Sequence, residues 1–336
     1  MFERVAMSKL VTIFGGSGFV GRYIARRMAK EGWRVRVAVR RPNEALFVQT
    51  YGVVGQVDPV LCNIRNDNSV RSALQGADAV INCVGILINR AKNKFDAVQH
   101  EGAERVARMA ALEGVEHLVH LSAIGADSNS DSDYARSKGL GEEGVLRHFP
   151  KTTILRPSVI FGAEDKFFNR FAAMTGFSMV LPVVGGNTKF QPVYVDDVAA
   201  AAVGAVLGDE LRGVFELGGP DVVTLSELLK QMLIVIQRKR MVLNLPFWIG
   251  RIMAFGFDMM QKITLDLIPN VILSRDQVRL LAKDNVVSDD MRGFKEFGIE
   301  PVSYEAVIPE YLWRFRPSGE FASIKESAKR LRESKS

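Results

Sequence analysis

The sequence predicts an α/β protein, a doubly wound parallel sheet joined to a smaller, mostly helical C-terminal lobe. Three observations lead there. Short β-branched runs alternate with amphipathic stretches through the N-terminal half; a glycine-rich turn, GGSGFVG, links the first run to the first amphipathic stretch; and the regularity loosens beyond about residue 161. Strand–helix alternation buries both faces of a parallel sheet under helices, and a glycine turn at the first junction is where a sheet of the Rossmann type holds a dinucleotide.

LVTIF, WRVRVAV, VVGQVDPVL, ADAVINCVG and HLVHLSA read as the first five strands, and TTILRP as a sixth. Between them FVGRYIARRMAKEG, NDNSVRSALQG and FDAVQHEGAERVARMAALEG repeat apolar residues at helical spacing and end in glycine, the usual helix stop. Further on, FNRFAAM, VDDVAAAAVGAVLG and LSELLKQMLIVIQ are helical, with Asp197 and either Thr224 or Ser226 as candidate N-caps. The glycine-rich turns VVGGN and LGGPD lie between them. The expected organisation is a nucleotide-binding domain over residues 1–160, a smaller lobe over 161–316 with segments returning to the main sheet, and a basic tail over 317–336.

A chain of 336 residues with 47% hydrophobic content can bury a large core, which excludes a disordered protein. The net charge of +6 is diluted over that length and gathers in RFRPSGEFASIKESAKRLRESKS, a tail rather than a nucleic-acid footprint; no DNA- or RNA-binding motif accompanies it. Cys62 and Cys83 lack CxxC spacing, which argues against a disulfide framework or zinc site and fits a reducing compartment. The four histidines are scattered, and His117 and His120 fall on opposite faces of a strand, so no metal is expected. MFERVAMSK is too short and too charged for a signal peptide, and no apolar run is long enough to span a bilayer, so a cytoplasmic location is expected.

The turn GGSGFVG sets Gly15, Gly18 and Gly21 in GxxGxxG spacing directly before a helix. Such glycines permit a tight turn and let the backbone approach a pyrophosphate, whose charge the helix N-terminus stabilises. Gly15, Ser17, Gly18, Phe19 and Val20 are the candidate cradle. The second strand ends in Arg40 and Arg41, with no Asp or Glu beside them. An acidic residue there would suit the ribose hydroxyls of NAD, whereas arginine suits the added phosphate of NADP. The expected cofactor is NADPH (NADP); a solvated pair of loop arginines is the plainer alternative.

GGSGFVG, NCVG at the end of the fourth strand, YARSK on the following helix and LRPSVIFG after the sixth strand together resemble the extended short-chain dehydrogenase/reductase superfamily. The resemblance continues through FQPVYVDDVA and FELGGPDVVTLSELL. It implies that Asn63 and Ile64 lie beside the adenine, Val84 and Gly85 beside the adenine ribose and pyrophosphate, and Tyr134, Lys138 and Pro157 near the nicotinamide ribose and ring. Ser122, at the end of the fifth strand, joins the cofactor-site candidates. Asn63 departs from the aspartate common at its position, though an asparagine carbonyl can also accept from the adenine amino group.

LSRDQVRLLAKDNVVS and FGIEPVSYEAVIPEYLWRFRPSG narrow the resemblance to the nucleotide-binding accessory subunits of respiratory complex I, the NADH:ubiquinone oxidoreductase, in their bacterial form. That family implies tightly bound NADPH without substrate turnover. It implies partners among the complex I subunits of the peripheral arm near the membrane and quinone site. It also implies a peripheral place on the cytoplasmic side of the inner membrane.

Tyr134 and Lys138 stand one helical turn apart and share a face. In such a pair the lysine lowers the phenol pKa and binds the cofactor ribose, so that tyrosine can serve as general acid or base. The superfamily pattern adds two consecutive hydroxyl residues at the fifth strand's end, the second catalytic. Here the first place holds Ser122 and the second Ala123, so the pair reads as vestigial for catalysis while kept in the cofactor site.

The segment LPFWIGRIMAFGFDMMQKITLDLIPNVIL, residues 245–273, is apolar yet too polar to span a bilayer. Burial in its own lobe and contact with a membrane surface or membrane subunit both fit it. The leading functional expectation is a catalytically silent, NADPH-binding accessory subunit of complex I with a structural or assembly role. An active NADP-dependent reductase or epimerase using Tyr134 and Lys138, and an NADPH-sensing regulator, stand as alternatives.

Overall fold

The structure is a computed structural model that describes residues 8–89, 92–208, 210–264, 270, 273–317 and 319. The expected basic tail, apart from Pro317 and Gly319, lies outside the described residues, as do residues 265–269 and 271–272 of the apolar segment.

The first six strands are β1 (Leu10–Phe14), β2 (Arg34–Val39), β3 (Val57–Leu61), β4 (Ala79–Asn82), β5 (His117–Leu121) and β6 (Thr153–Pro157). The helices between them are α1 (Phe19–Lys30), α2 (Asp67–Leu74), α3 (Glu101–Leu112) and α4 (Asp133–His148). Past β6 come the short strands β7 (Ile160–Phe161), β8 (Val180–Val184), β9 (Lys189–Phe190) and β10 (Val193–Tyr194), then β11 (Gly213–Leu217), β12 (Val223–Thr224) and β13 (Met241–Leu245). The later helices are α5 (Phe168–Met174), α6 (Val195–Leu207), α7 (Leu225–Val235), α8 (Phe247–Ile263), α9 (Arg275–Leu280) and α10 (Tyr304–Leu312).

The main sheet has seven parallel strands in the order β11-β6-β5-β4-β1-β2-β3. Strand order reverses between β1 and β4, and a crevice opens at the carboxyl ends of strands flanking such a switch point. Alternation along β1 explains why the sheet is covered twice. Val11 and Ile13 join a core with α1 and α6, while Phe14 joins the opposite core with α2 and α3. Thr12, also fully buried, donates its hydroxyl to the Ala73 carbonyl on α2 at 2.9 Å, which removes the cost of an unpaired buried oxygen. The alanine-rich α6 packs against α1, and Arg27 grips Asp196 with two bonds of 2.7 Å.

The C-terminal lobe is mostly helical, as its sequence suggests, with short strands between the helices. Among the described residues it contains three two-stranded sheets, β10 on β7, β12 on β9 and β13 on β8. Their strands are mostly two residues long and carry too little alternation to stand out in the sequence. A separate core that includes Phe161, Phe168, Leu228, Met232 and Ile308 holds this lobe. Thr224 caps α7 in a reciprocal box with Glu227, as expected, whereas Asp197 does not cap α6: it sits in the first turn and accepts from Val302 N at 2.8 Å. Two local forms were not legible. Residues Pro42–Tyr51 form a 3-10 run after β2, and the helical stretch before α3 begins with a π turn at Asp96–His100.

Candidate dinucleotide site

A cavity of about 910 Å³ lies at the switch point, between the carboxyl ends of β1, β2, β3 and β4. Gly15 turns with φ +74°, a conformation that favours glycine, and a Cβ there would stand 3.3 Å from the Val84 side chain across the crevice. Gly21 serves a different end: a Cβ on it would come within 2.4 Å of the Gly15 carbonyl, so its lack of a side chain lets α1 press against the turn. No side chain caps α1, whose first amides lack intrahelical acceptors by helix geometry. Donors and the positive end of the helix dipole thus meet at the cavity floor, the chemistry a pyrophosphate requires.

Of the expected residues, Gly15, Ser17, Gly18, Arg40, Arg41, Asn63, Ile64, Val84 and Gly85 line this cavity. Phe19 and Val20 are not among the lining residues: the Phe19 ring packs edge-on against Tyr23, and Val20 against the core beneath α1. The two arginines are not equivalent. Arg41 is paired with Glu44 at 3.0 Å, whereas Arg40 is exposed with no partner among the described residues. Arg40 is therefore the cation available to an added phosphate. Asn63 points its carbonyl oxygen at the Arg65 amide, 3.2 Å away, which spends one lone pair and leaves the other.

Beyond Ala123 a second cavity of about 800 Å³ takes in Tyr134 and Pro157 and reaches the C-terminal lobe. Lys138 lies between the two spaces. Its Nζ donates to the Leu121 carbonyl at 3.0 Å and is 3.6 Å from where a Cβ on Gly85 would stand. Burial lowers its pKa to about 8, partly offset by Glu142. The Tyr134 phenol is pushed up to about 12 by burial, opposite to the lowering expected from a lysine partner. The ammonium serves the strand-end carbonyl instead. Ser122 is not among the residues lining the second cavity, and its hydroxyl is buried without a protein partner. The residue that faces that space is Ala123.

Four contributors were missed from sequence. Arg22 lines the first cavity, holds the Ser17 carbonyl at 3.1 Å and the Gly18 carbonyl at 3.2 Å, and stacks over Phe47. Arg65 lines it too and is tied to the Lys92 carbonyl at 2.8 Å. Buried Gln99, on the π turn, accepts from Ile86 N at 3.0 Å and donates to Ser137 at 2.9 Å, linking the loop after β4 to α4. Asp276 of α9 closes the N-terminus of α4. Arg22 follows the third glycine directly, a position that could have been read; the other three depend on distant partners. Among the described residues no group of three potential ligands could hold a metal, and both cysteines are free, with burial raising both thiols.

Residues 11–218 match the NAD dependent epimerase/dehydratase family. The chain belongs to that family. Its members' nicotinamide dinucleotide fits the first cavity, where the glycine turn, open helix amides and crossover crevice coincide. Over 323 residues the chain is 35% identical to NADH dehydrogenase [ubiquinone] 1 alpha subcomplex subunit 9, mitochondrial, of Arabidopsis thaliana, covering 94% of this chain and 80% of the plant protein. Over a further 323-residue match it is 30% identical to the NADH-ubiquinone oxidoreductase 40 kDa subunit of Neurospora crassa, covering 96% and 84% of the two chains. Among solved structures, MoeE5 in complex with UDP-glucose and NAD shares the family fold with a TM-score of 0.67 at 15% identity, over 90% of this chain and 98% of that one.

Proposed function

We propose that this protein is a catalytically silent, NADPH-binding accessory subunit of respiratory complex I. The observation that carries the reading is a contrast within one crevice. The dinucleotide cradle is complete, while the far end has Ala123 in the hydroxyl place, a phenol raised to about 12, and a lysine committed to the Leu121 carbonyl. Similarity to two respiratory subunits along most of the chain supports the same assignment. Unpaired Arg40 supports NADPH over NADH, because a free guanidinium beside the ribose favours a phosphate there.

In this reading residues 1–160, joined by the returning segments α6 and β11, form the nucleotide domain, and the remainder of residues 161–316 the lobe that meets other subunits. Bound at a thousand times its dissociation constant, a nucleotide stabilises the native state by about 4 kcal/mol, which suits a structural role. Helix α8 supplies the contact with the membrane surface. Trp248, Ile252, Phe255, Met259 and Ile263 recur at helical spacing and are exposed, with Arg251 at the edge of the stripe. No helix among the described residues is long and apolar enough to cross a membrane. An interfacial helix of this kind supports a peripheral place on the membrane, which in this reading is the cytoplasmic side of the inner membrane near the quinone site.

The test is to tag the chromosomal copy, solubilise membranes gently and run a native gel. Co-migration with NADH:ubiquinone oxidoreductase activity in a fixed ratio is the expected result. Recovery of the protein alone in the soluble fraction would overturn the assignment.

A further inference from the structure

The second cavity shares Tyr134 and Pro157 with the nucleotide reading, but the rest of its lining lies outside that reading, and its walls differ in chemistry. On the sheet side Ala123 and Pro157 face it; from the C-terminal lobe Phe190 and Val278 add apolar surface. The lobe also brings Arg251, Arg275, Arg279 and Lys283 to the same space. Two carboxylates oppose them, Asp131 and Asp284, and Asp284 is engaged by Lys189 N at 2.8 Å. Positive charge therefore exceeds negative along this wall.

The four cations are not all committed. Arg275 is paired with Asp258 at 3.2 Å, and Arg279 gives one arm to the Asp131 carbonyl at 2.9 Å. The side chains of Arg251 and Lys283 have no hydrogen-bond or ion-pair partner among the described residues. Arg251 also stands on α8, one residue before Ile252 of the exposed apolar stripe, so the charged side of the cavity adjoins an apolar surface. A space of about 800 Å³ matches the size of pockets that enclose small ligands.

We propose that this cavity binds an amphiphile with an anionic head, a phosphate or carboxylate, and an alkyl chain. Arg251 and Lys283 receive the head, and the chain runs along Phe190 and Val278 toward Ala123. A charged head is held by charge-assisted bonds, and the chain by removal of apolar area from water. The same chemistry is offered by a free amphiphile and by an anionic lipid drawn from a bilayer.

The test titrates the full-length chain with dodecyl phosphate below its micelle concentration, with dodecanol and with inorganic phosphate. Dodecyl phosphate is expected to bind one per chain, at least about 10-fold tighter than either control. The double variant Arg251→Ala, Lys283→Ala is expected to lose about 10-fold in affinity, and Ala123→Phe to shorten the longest alkyl phosphate accepted, both with unchanged melting temperature. Competition with vesicles of an anionic phospholipid separates the sources: displacement of the probe marks a bilayer lipid, and its absence marks a soluble amphiphile. No saturable binding of dodecyl phosphate, equal binding of either control, or undiminished binding by the double variant would overturn the proposal.

Discussion

Tyr134 and Asp276 are joined across the two lobes: the Tyr134 amide donates to Asp276 Oδ2 at 3.2 Å. The same carboxylate accepts from Asp133 N at 2.7 Å and from the Ser132 hydroxyl at 3.1 Å, so one side chain of α9 closes the N-terminus of α4. A carboxylate at a helix N-terminus satisfies open amides and complements the dipole. Asp276→Ala is expected to destabilise the protein by about 1–2 kcal/mol, read from the urea midpoint, with Asp276→Asn recovering part of the loss.

Arg40 and Arg41 separate in their effects on the cofactor. Arg40→Glu is expected to weaken NADPH binding by about 10-fold or more while leaving NADH binding nearly unchanged, since only the phosphate is repelled. Arg41→Ala should change NADPH affinity far less, because Glu44 already engages that guanidinium. Fluorescence titration of both variants with both nucleotides measures the difference. Equal NADPH affinity for Arg40→Glu and the parent would remove Arg40 from the site.

Gly21→Ala tests how tightly α1 is pressed on the turn. The added methyl would meet the Gly15 carbonyl at 2.4 Å and the Gly16 Cα at 2.7 Å, both backbone, so the helix must shift. Overpacking of this sort costs about 1–3 kcal/mol and moves the amides of the cradle. Both melting temperature and dinucleotide affinity are expected to fall together.

Ala123→Ser restores the hydroxyl of the reductase pattern and is expected to yield no turnover. Neither the phenol at about 12 nor the lysine on the Leu121 carbonyl is changed by it. NADPH consumption with a panel of aldehydes and ketones is the readout, and clear activity in the variant would favour the active-reductase alternative.

His120 predicts the acid limb of stability. Burial, assisted by the Lys138 charge, pushes its pKa down from 6.5 to about 3. The unfolded chain therefore binds a proton that the native chain refuses between those values, and stability falls as pH drops from about 6.5 toward 3. The slope from this one group is at most about 1.4 kcal/mol per pH unit. In His120→Asn the slope over that window, measured by urea melts at successive pH values, is expected to flatten.

What was legible in the sequence is what local chemistry dictates. The six early strands, the helices between them and the glycine cradle follow from periodicity and turn residues within short windows. Two adjacent arginines after the second strand could be read, but the neutralisation of Arg41 could not, because Glu44 lies on a 3-10 run with no sequence signal. The Tyr134–Lys138 spacing was plain, whereas the environment that raises the phenol depends on burial set by Phe95 and the surrounding fold. Gln99 and Asp276 escaped for the same reason: each is defined by partners far along the chain.

The outer strand β11 lies beside β6 but comes only after the chain has passed through β7 to β10 and returned to the main sheet along α6. As the chain leaves the ribosome, β6 therefore emerges with one edge open, a template for pairing with a foreign strand. That edge closes only once Gly213–Leu217 is available, by a contact distant in sequence and so slow to form. A nascent chain interrupted before residue 217 lacks more than its second lobe, because the sheet that carries the cradle has not yet been sealed.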